Sequence, residues 1–289
     1  AISKKFNSPI SLLASKNSKA DQLFSEEEKI DEIIFLDRKK DKSGTHDGIR
    51  GFFNLANKLK EKNFDRVFIF NSSLRYFLLA KVAGIKTISQ YPLFRTKDNI
   101  VNSAKIFTEN EINSVVLSEP NLEIKNSKNS FNKEFKHICL GISASGPTKR
   151  WGIENYISLC EELMKTTKCQ FYIAGGKNDL NLINILKKSK VGKNCISFED
   201  LSIKETLPII KNCDLYIGND TGWAHISCSL GVKSLTLFMD SPVMAYGKYS
   251  TRMKVIEPEG EDNSTTHDTL GKDKISFQKV LSSALELLV

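Results

Sequence analysis

The sequence predicts an α/β protein built from two doubly wound, mostly parallel sheets. Three observations lead to this prediction. Apolar runs typical of strands alternate with helix-like periodic runs through both halves of the chain. A polar stretch at 121–133, dominated by Asn, Ser and Lys, separates the two series. A chain of 289 residues is also long enough for two domains that each bury a core. We therefore expect one domain at 1–125 and a second at 135–289.

The first half reads as the tail of a helix followed by alternating strands and helices. Short apolar runs bounded by turn residues predict strands at 9–14, 33–36, 67–70 and 85–89. Helical periodicity predicts helices at 46–61, 74–82 and 98–109. Gly84 is placed to end the second of these helices.

The second half repeats the alternation after the polar stretch. Its apolar runs predict strands at 137–142, 170–174, 195–198, 214–217 and 234–238. Helices are expected between them, including 154–163 and 203–211, and a closing amphipathic helix at 275–288. The polar stretch 257–273 is expected to be a surface loop.

Charge and hydropathy exclude some classes of protein. No apolar run approaches the roughly 20 residues that a membrane-spanning helix needs, and no signal-peptide pattern opens the chain, so we expect a cytoplasmic protein. The net charge of +8 is compatible with attraction to anionic lipid head groups or a phosphorylated sugar, and also with a Lys- and Asn-rich composition that has no functional meaning. No Arg-rich arm or RNA-binding aromatic signature indicates nucleic acid.

All six cysteines fall in the second half, and none forms a Cys-x-x-Cys pair. Most lie in apolar strand or helix contexts. We expect reduced, buried thiols, without a zinc site or a disulfide framework.

The segment 213–238 carries the strongest functional pattern. It predicts a strand, a turn of small and polar residues at 218–222, a helix of about two turns and a second strand. In a parallel sheet this places a helix N-terminus at the carboxyl end of a strand, where unpaired N–H groups and the helix dipole bind anions. Gly218 and Gly222 would let a ligand approach the backbone, and Asp220 and Thr221 are suitable N-caps.

His225 falls in the first helical turn, so the segment predicts a phosphate site with a titratable group beside it. An ordinary strand–loop–helix unit, with Asp220 as a cap and His225 paired locally, fits the spacing equally well.

The run Asp220-Thr221-Gly222, followed by His225 and Leu230-Gly231-Val232, resembles the signature of the bacterial lipopolysaccharide heptosyltransferases, glycosyltransferase family 9. The loop 141–151, which ends in Lys149-Arg150-Trp151, is similar to a second loop of that family. The resemblance implies the GT-B fold, in which two Rossmann-like domains face each other across a cleft: an acceptor-side N-terminal domain and a C-terminal domain that binds the nucleotide sugar.

The resemblance also implies roles for individual residues. Lys149 would contact the phosphate nearest the sugar, although a solvated loop lysine is the alternative. Asp220 could contact a sugar hydroxyl, cap its helix, or do both. Arg150 would face solvent or an acidic neighbour, and Trp151 would be a packing residue. The expected donor-binding residues are Ser145, Lys149, Asp179, Asp200, Asp220, Thr221, Gly222 and His225.

The reaction implied is transfer of a heptose from ADP-heptose to a lipopolysaccharide inner-core acceptor, with inversion. Lys149 and His225 are the expected catalytic residues, since both would stabilise charge on the departing diphosphate. No Asp-x-Asp pair is present, which favours transfer without a metal; we expect no cofactor beyond the nucleotide-sugar substrate. The partners would be that donor, a glycan acceptor and the inner membrane surface, with no nucleic acid.

The family begins with a strand and a Gly-Asp loop whose Asp is the proposed general base. No Gly-Asp pair precedes a helix in this sequence, so we expect that this opening segment is absent. One strand, its loop and part of a helix correspond to roughly 20–25 residues.

Two other functions remain open. A nucleotide-sugar epimerase of the same architecture would turn over the donor without an acceptor, whereas a binding module would hold the donor without transfer. A dehydrogenase is disfavoured because no Gly-x-Gly-x-x-Gly follows a predicted strand.

Overall fold

A computed structural model describes residues 1–92, 98–125, 131–260 and 262–289. Its contacts divide the chain into two compact units, Ala1–Leu117 and Ser118–Val289. This division lies ahead of the predicted boundary at 125–135, part of which (126–130) is outside the described residues. The segment after 117 joins the second unit because Glu119 accepts from Thr251 N at 3.1 Å and Leu122 N donates to Ser229 O at 2.7 Å.

The first unit contains two separate pairs of parallel strands. β1 (Ile10–Ser15) pairs with β2 (Ile30–Leu36), and β3 (Arg66–Ile69) pairs with β4 (Thr87–Gln90). The helices of this unit are α1 (Ile2–Phe6), α2 (Ala20–Leu23), α3 (Gly48–Glu61), α4 (Leu74–Val82) and α5 (Ile100–Ile112). Apolar faces of α3 and α4 share one core with β2 and β3, centred on Leu55, Leu79 and Ile34. The predicted bounds of α4 are confirmed.

The second unit holds one parallel sheet of six described strands, in the order β10-β9-β8-β5-β6-β7. Its strands are β5 (Lys136–Gly141), β6 (Cys169–Ile173), β7 (Cys195–Ser197), β8 (Leu215–Asn219), β9 (Lys233–Leu237) and β10 (Met253–Ile256). Five of these were predicted within one or two residues at each end; β10 was not. The central strands are buried on both faces, as in other parallel sheets covered by helices.

Helices cover this sheet and form its core. They are α6 (Ile153–Thr166), α7 (Leu180–Lys188), α8 (Ile203–Lys211), α9 (Gly222–Ser229), α10 (Val243–Tyr246) and α11 (Phe277–Leu288). Apolar residues of α6, α7 and α11 pack with the strands in one large cluster, whereas Cys228 of α9 and Val243 of α10 belong to a separate one. The predicted bounds of α8 are confirmed.

The stretch 257–273 was predicted to be a surface loop, and part of that prediction is wrong. Glu257 and Thr265 are buried, and the Thr265 hydroxyl donates to the Glu257 carboxylate at 3.3 Å. Lys248 lies 3.4 Å from the same carboxylate. Polar side chains can be buried when they have such partners. The polar composition of 257–273 therefore did not mean that all of its residues are exposed.

Within the described ranges, no helix is long and apolar enough to cross a membrane. All six cysteines carry free thiols, and five of them are buried.

Candidate active site

The candidate site lies at the carboxyl ends of β5 and β8, where the strand order of the second sheet reverses. From β5 the chain continues to β6 and β7 on one side, then crosses to β8, which pairs with the other side of β5. In open α/β sheets the crevice outside the strand ends at this reversal is the usual ligand site. Two segments that carry half of the predicted donor-binding residues, the loop 142–152 and the turn 220–221, leave the sheet at this point.

Asn219, the last residue of β8, joins the two segments. Its Oδ1 accepts from Trp151 N and from Tyr156 Oη, each at 3.1 Å. Its Nδ2 donates to the carbonyls of Ile142 at 3.0 Å and Ser143 at 3.2 Å. The side chain is fully buried, and both its donors and both its acceptor sites are used. The loop that carries Lys149 is therefore fixed to the strand that precedes α9.

Asn219 was not among the predicted site residues, because Gly218 and Asn219 were assigned to the turn instead of the strand. In the structure both pair within the sheet, Gly218 opposite Gly141 and Thr236, and Asn219 opposite Leu237. A polar residue ending an otherwise apolar strand was the signal available in the sequence.

Gly218 was expected to let a ligand approach the backbone, and this prediction is wrong. A Cβ on Gly218 would lie 2.5 Å from the Gly141 Cα and 2.6 Å from the Tyr216 hydroxyl. Gly218 and Gly141 instead make room for the buried Tyr216 ring between neighbouring strands. Gly222 does meet the expectation of open space, since a Cβ there would have no heavy atom within 4 Å.

Lys149 ends a short 3₁₀ turn, Pro147–Lys149, and its side chain is half-buried. The preceding Thr148 hydroxyl donates to Asp240 Oδ2 at 2.5 Å, and Asp240 follows β9. This hydrogen bond is the main reason that the pKa of Asp240 is lowered, and the positive charge of Lys149 contributes to the same shift. The segment after β9, which was not predicted to be part of the site, therefore places a carboxylate near Lys149.

The start of α9 partly differs from the prediction. The N-cap is Thr221, in an extended conformation and without a side-chain cap hydrogen bond, and Gly222 is the first helical residue. Of the two residues suggested as N-caps, Thr221 therefore occupies the position, and Asp220 precedes it. The first N–H groups of a helix lack partners within the helix, and a diphosphate would accept from them.

His225 lies one turn into α9 between two polar side chains. Its Nε2 is 3.5 Å from Asp220 Oδ1, and its Nδ1 is 2.5 Å from Tyr249 Oη. Burial raises the pKa of Tyr249 above its ordinary value, so this phenol keeps its proton. Tyr249 was not among the predicted residues, because nothing in its local sequence connects it with α9.

The remaining predicted residues lie at the same edge of the sheet. Ser145 is exposed in the loop after β5, and Asp200 is exposed after β7. Asp179 follows β6 and already has two partners: it accepts from Gly176 N at 3.1 Å and lies 3.7 Å from Arg150. Asp179 is thus the acidic neighbour that was predicted for Arg150. A ribose hydroxyl that binds the Asp179 carboxylate would have to compete with Arg150.

The two aromatic residues near the site have different surroundings. Trp151 is buried, stacks on Phe277 and meets Tyr156 edge-on, as expected for a packing residue. Trp223 is half-buried and its ring centroid lies 6.1 Å from that of Phe198, after β7. In the part of the chain that is described, no three His, Cys, Asp or Glu side chains are grouped so that they could hold a metal ion.

Residues 108–272 match the family model described as glycosyltransferase family 9 (heptosyltransferase). The E. coli ADP-heptose lipopolysaccharide heptosyltransferase II is similar in structure, with a TM-score of 0.72 and 20% identity over 97% of this chain and 89% of that one. A family 9 glycosyltransferase from Veillonella parvula gives a TM-score of 0.74 and 20% identity over 97% and 88%.

The E. coli heptosyltransferase WaaC with ADP gives a TM-score of 0.71 and 11% identity, over 96% of this chain and 100% of that one. No curated protein sequence gives a significant match. At these identities the structural likeness shows the fold alone, and it confirms the predicted GT-B fold class.

Proposed function

The chain belongs to glycosyltransferase family 9, the heptosyltransferase family, and on that premise we propose that it transfers a heptose from ADP-heptose to a lipopolysaccharide inner-core acceptor. The observation that carries the proposal is the set of three hydrogen bonds through which Asn219 holds the Lys149 loop against the end of β8. This contact brings the two segments of the family resemblance together at one point of the sheet.

The chemistry follows from the groups that meet there. Breaking the bond between the sugar and the diphosphate leaves negative charge on the departing phosphate. The N–H groups of Thr221 and Gly222 at the start of α9 would bind that phosphate, and the Lys149 ammonium would neutralise its charge. Because these groups already supply positive charge, we propose transfer without a metal. Inversion at the anomeric carbon would follow from in-line attack by the acceptor hydroxyl.

The identity of the donor is supported by similar proteins. One was solved with ADP, and another is described as an ADP-heptose heptosyltransferase. We assign Ser145, Asp179, Asp200, Asp220 and His225 to donor binding, with Lys149 and His225 as catalytic residues. Asp220 would contact the sugar and His225 the phosphate or the sugar, whereas Asp179 and Asp200 would lie nearer the nucleoside.

We also propose a role for each domain and a location for the enzyme. Residues 1–125 would form the acceptor side and 135–289 the donor side. We place the enzyme in the cytoplasm, with its acceptor at the inner face of the membrane, where the net charge of +8 would favour anionic lipid head groups.

Calorimetric titration with ADP, UDP and GDP, and with their sugars, tests the donor assignment. We expect the ADP ligands to bind most tightly. Lys149→Ala should weaken their binding by tenfold or more, since a charge-assisted contact to phosphate is worth about 1.5–3 kcal/mol. Lys177→Ala is the matched control, because Lys177 is an exposed lysine in the neighbouring loop after β6.

Two results would contradict the proposal: equal binding of all three nucleotides, or no effect of Lys149→Ala beyond that of the control. Incubation with donor alone provides a further test. Conversion of the sugar without an acceptor would identify an epimerase instead of a transferase.

A further inference from the structure

The two residues that flank Tyr249 in the chain, Lys248 and Ser250, fix its position. Lys248 turns the backbone just before it, with a left-handed φ of 55°, and its Nζ lies 2.8 Å from Asn263 Oδ1. Ser250, just after it, is buried and donates to the Glu119 carboxylate. The loop between α10 and β10 is therefore fixed on each side of Tyr249.

The Tyr249 ring packs against a buried cluster, which leaves its hydroxyl directed at His225. The members of this cluster are Cys228, Phe238, Val243 and Met253. The hydroxyl oxygen is 2.5 Å from His225 Nδ1, and the two ring centroids are 5.6 Å apart. Tyr246, three residues earlier, lies beside the same cluster, but its ring faces His267 at 6.4 Å.

The partners of His225 determine which of its nitrogens carries the proton. A neutral imidazole has one N–H and one lone pair. If the proton were on Nδ1, the Nε2 lone pair would face the Asp220 carboxylate 3.5 Å away, and the two would repel each other. With the proton on Nε2, the N–H is attracted by the carboxylate 3.5 Å away, and Nδ1 is free to accept from the Tyr249 hydroxyl.

We propose that Tyr249 is a positioning residue whose hydroxyl donates to His225 Nδ1 and so keeps the imidazole proton on Nε2, facing Asp220. The phenol hydrogen bond thus sets the tautomer of His225. The consequence for transfer rests on the proposed function, in which Asp220 and His225 contact the donor.

Nitrogen-15 NMR of the imidazoles tests this proposal independently of activity. The spectra are recorded in mildly alkaline buffer on the whole chain, and the His225 signals are assigned among the four histidines by His225→Ala. Wild type should show a protonated Nε2 and an unprotonated Nδ1. In Tyr249→Phe the two tautomers should mix, whereas Tyr246→Phe should leave the His225 signals unchanged.

Kinetics separates positioning from mere packing. Tyr249→Phe keeps the ring and should leave the melting temperature close to that of wild type, but kcat/KM for the donor should fall about tenfold, the order of one lost hydrogen bond near a charged group. In a His225→Ala background the same substitution should cause no further loss.

An unchanged His225 tautomer in Tyr249→Phe would overturn the proposal. So would losses that multiply fully in the double variant, since Tyr249 would then act without His225. If wild type transferred no heptose at all, the proposed function would fail, while the NMR comparison would still decide the role of Tyr249.

Discussion

The end of β8 and the start of α9 adjoin in the sequence, yet their glycines have opposite surroundings. A Cβ on Gly218 would lie 2.5 Å from the Gly141 Cα, whereas a Cβ on Gly222 would meet no heavy atom within 4 Å. Gly218 is buried in the sheet, and Gly222 is exposed at the first position of the helix. In one place the missing side chain allows strands to pack around Tyr216, and in the other it leaves the backbone open to a ligand.

This difference divides the motif into a structural half and a second half that we propose binds the ligand, the binding half. The structural half ends at Asn219, which is fully buried and whose side-chain oxygen and nitrogen are both hydrogen-bonded. The binding half begins at Asp220, where side chains become partly exposed. Substitutions in the first half should change stability, and substitutions in the second should change affinity.

Gly218→Ala should have the largest effect. The added methyl group overlaps the backbone of β5, which cannot move without separating two paired strands, so we expect about 3 kcal/mol of destabilisation. Urea denaturation measures it. Gly146→Ala is the control, since Gly146 belongs to the same site, has open space around its Cα and does not have a positive φ. Equal stability of the two variants would show that Gly218 is not packed as described.

Asn219→Ala should cost about 2 kcal/mol. The substitution leaves the Ile142 carbonyl and the Trp151 N–H without their partner in a buried setting, whereas the Tyr156 hydroxyl keeps the Gly141 carbonyl. Because the Lys149 loop loses its anchor, donor affinity should fall together with stability. Calorimetric titration below the melting temperature checks the second effect. Normal affinity in a destabilised variant would mean that the loop does not depend on Asn219 for its position.

Gly222→Ala should have the smallest effect on stability and a clear effect on binding. Ala is the better helix former by about 1 kcal/mol, and the site has room for it, so the melting temperature should stay or rise slightly. The methyl group would stand beside the N–H groups that are proposed to bind phosphate, and we expect ADP affinity to fall about tenfold. Unchanged affinity would show that no ligand approaches this backbone.

The alternation of strands and helices was predicted from apolar periodicity because it depends on residues close together in the chain. Helices α4 and α8 were placed within their observed bounds. β10 was missed, since its four residues, Met253–Ile256, alternate too briefly and follow a polar turn. The predicted donor-binding residues of the second unit all lie at the carboxyl edge of one sheet, as the order of elements requires.

The partners of those residues could not be predicted in the same way. Thr148 and Asp240 are far apart in the sequence and meet only because β5 and β9 lie on either side of β8. His225 and Tyr249 meet because the loop after α10 returns toward α9.

The sequence by itself determined the α/β class, the order of the elements and the residue types at the candidate site. These follow from local periodicity and from the fact that parallel strands bring their carboxyl ends to one edge. Only the tertiary structure decided that Gly218 packs while Gly222 is open, that Asn219 anchors the Lys149 loop, and that Tyr249 pairs with His225. Each of these depends on which strands and loops become neighbours, and a hydrogen bond between distant residues leaves no periodic trace in the chain.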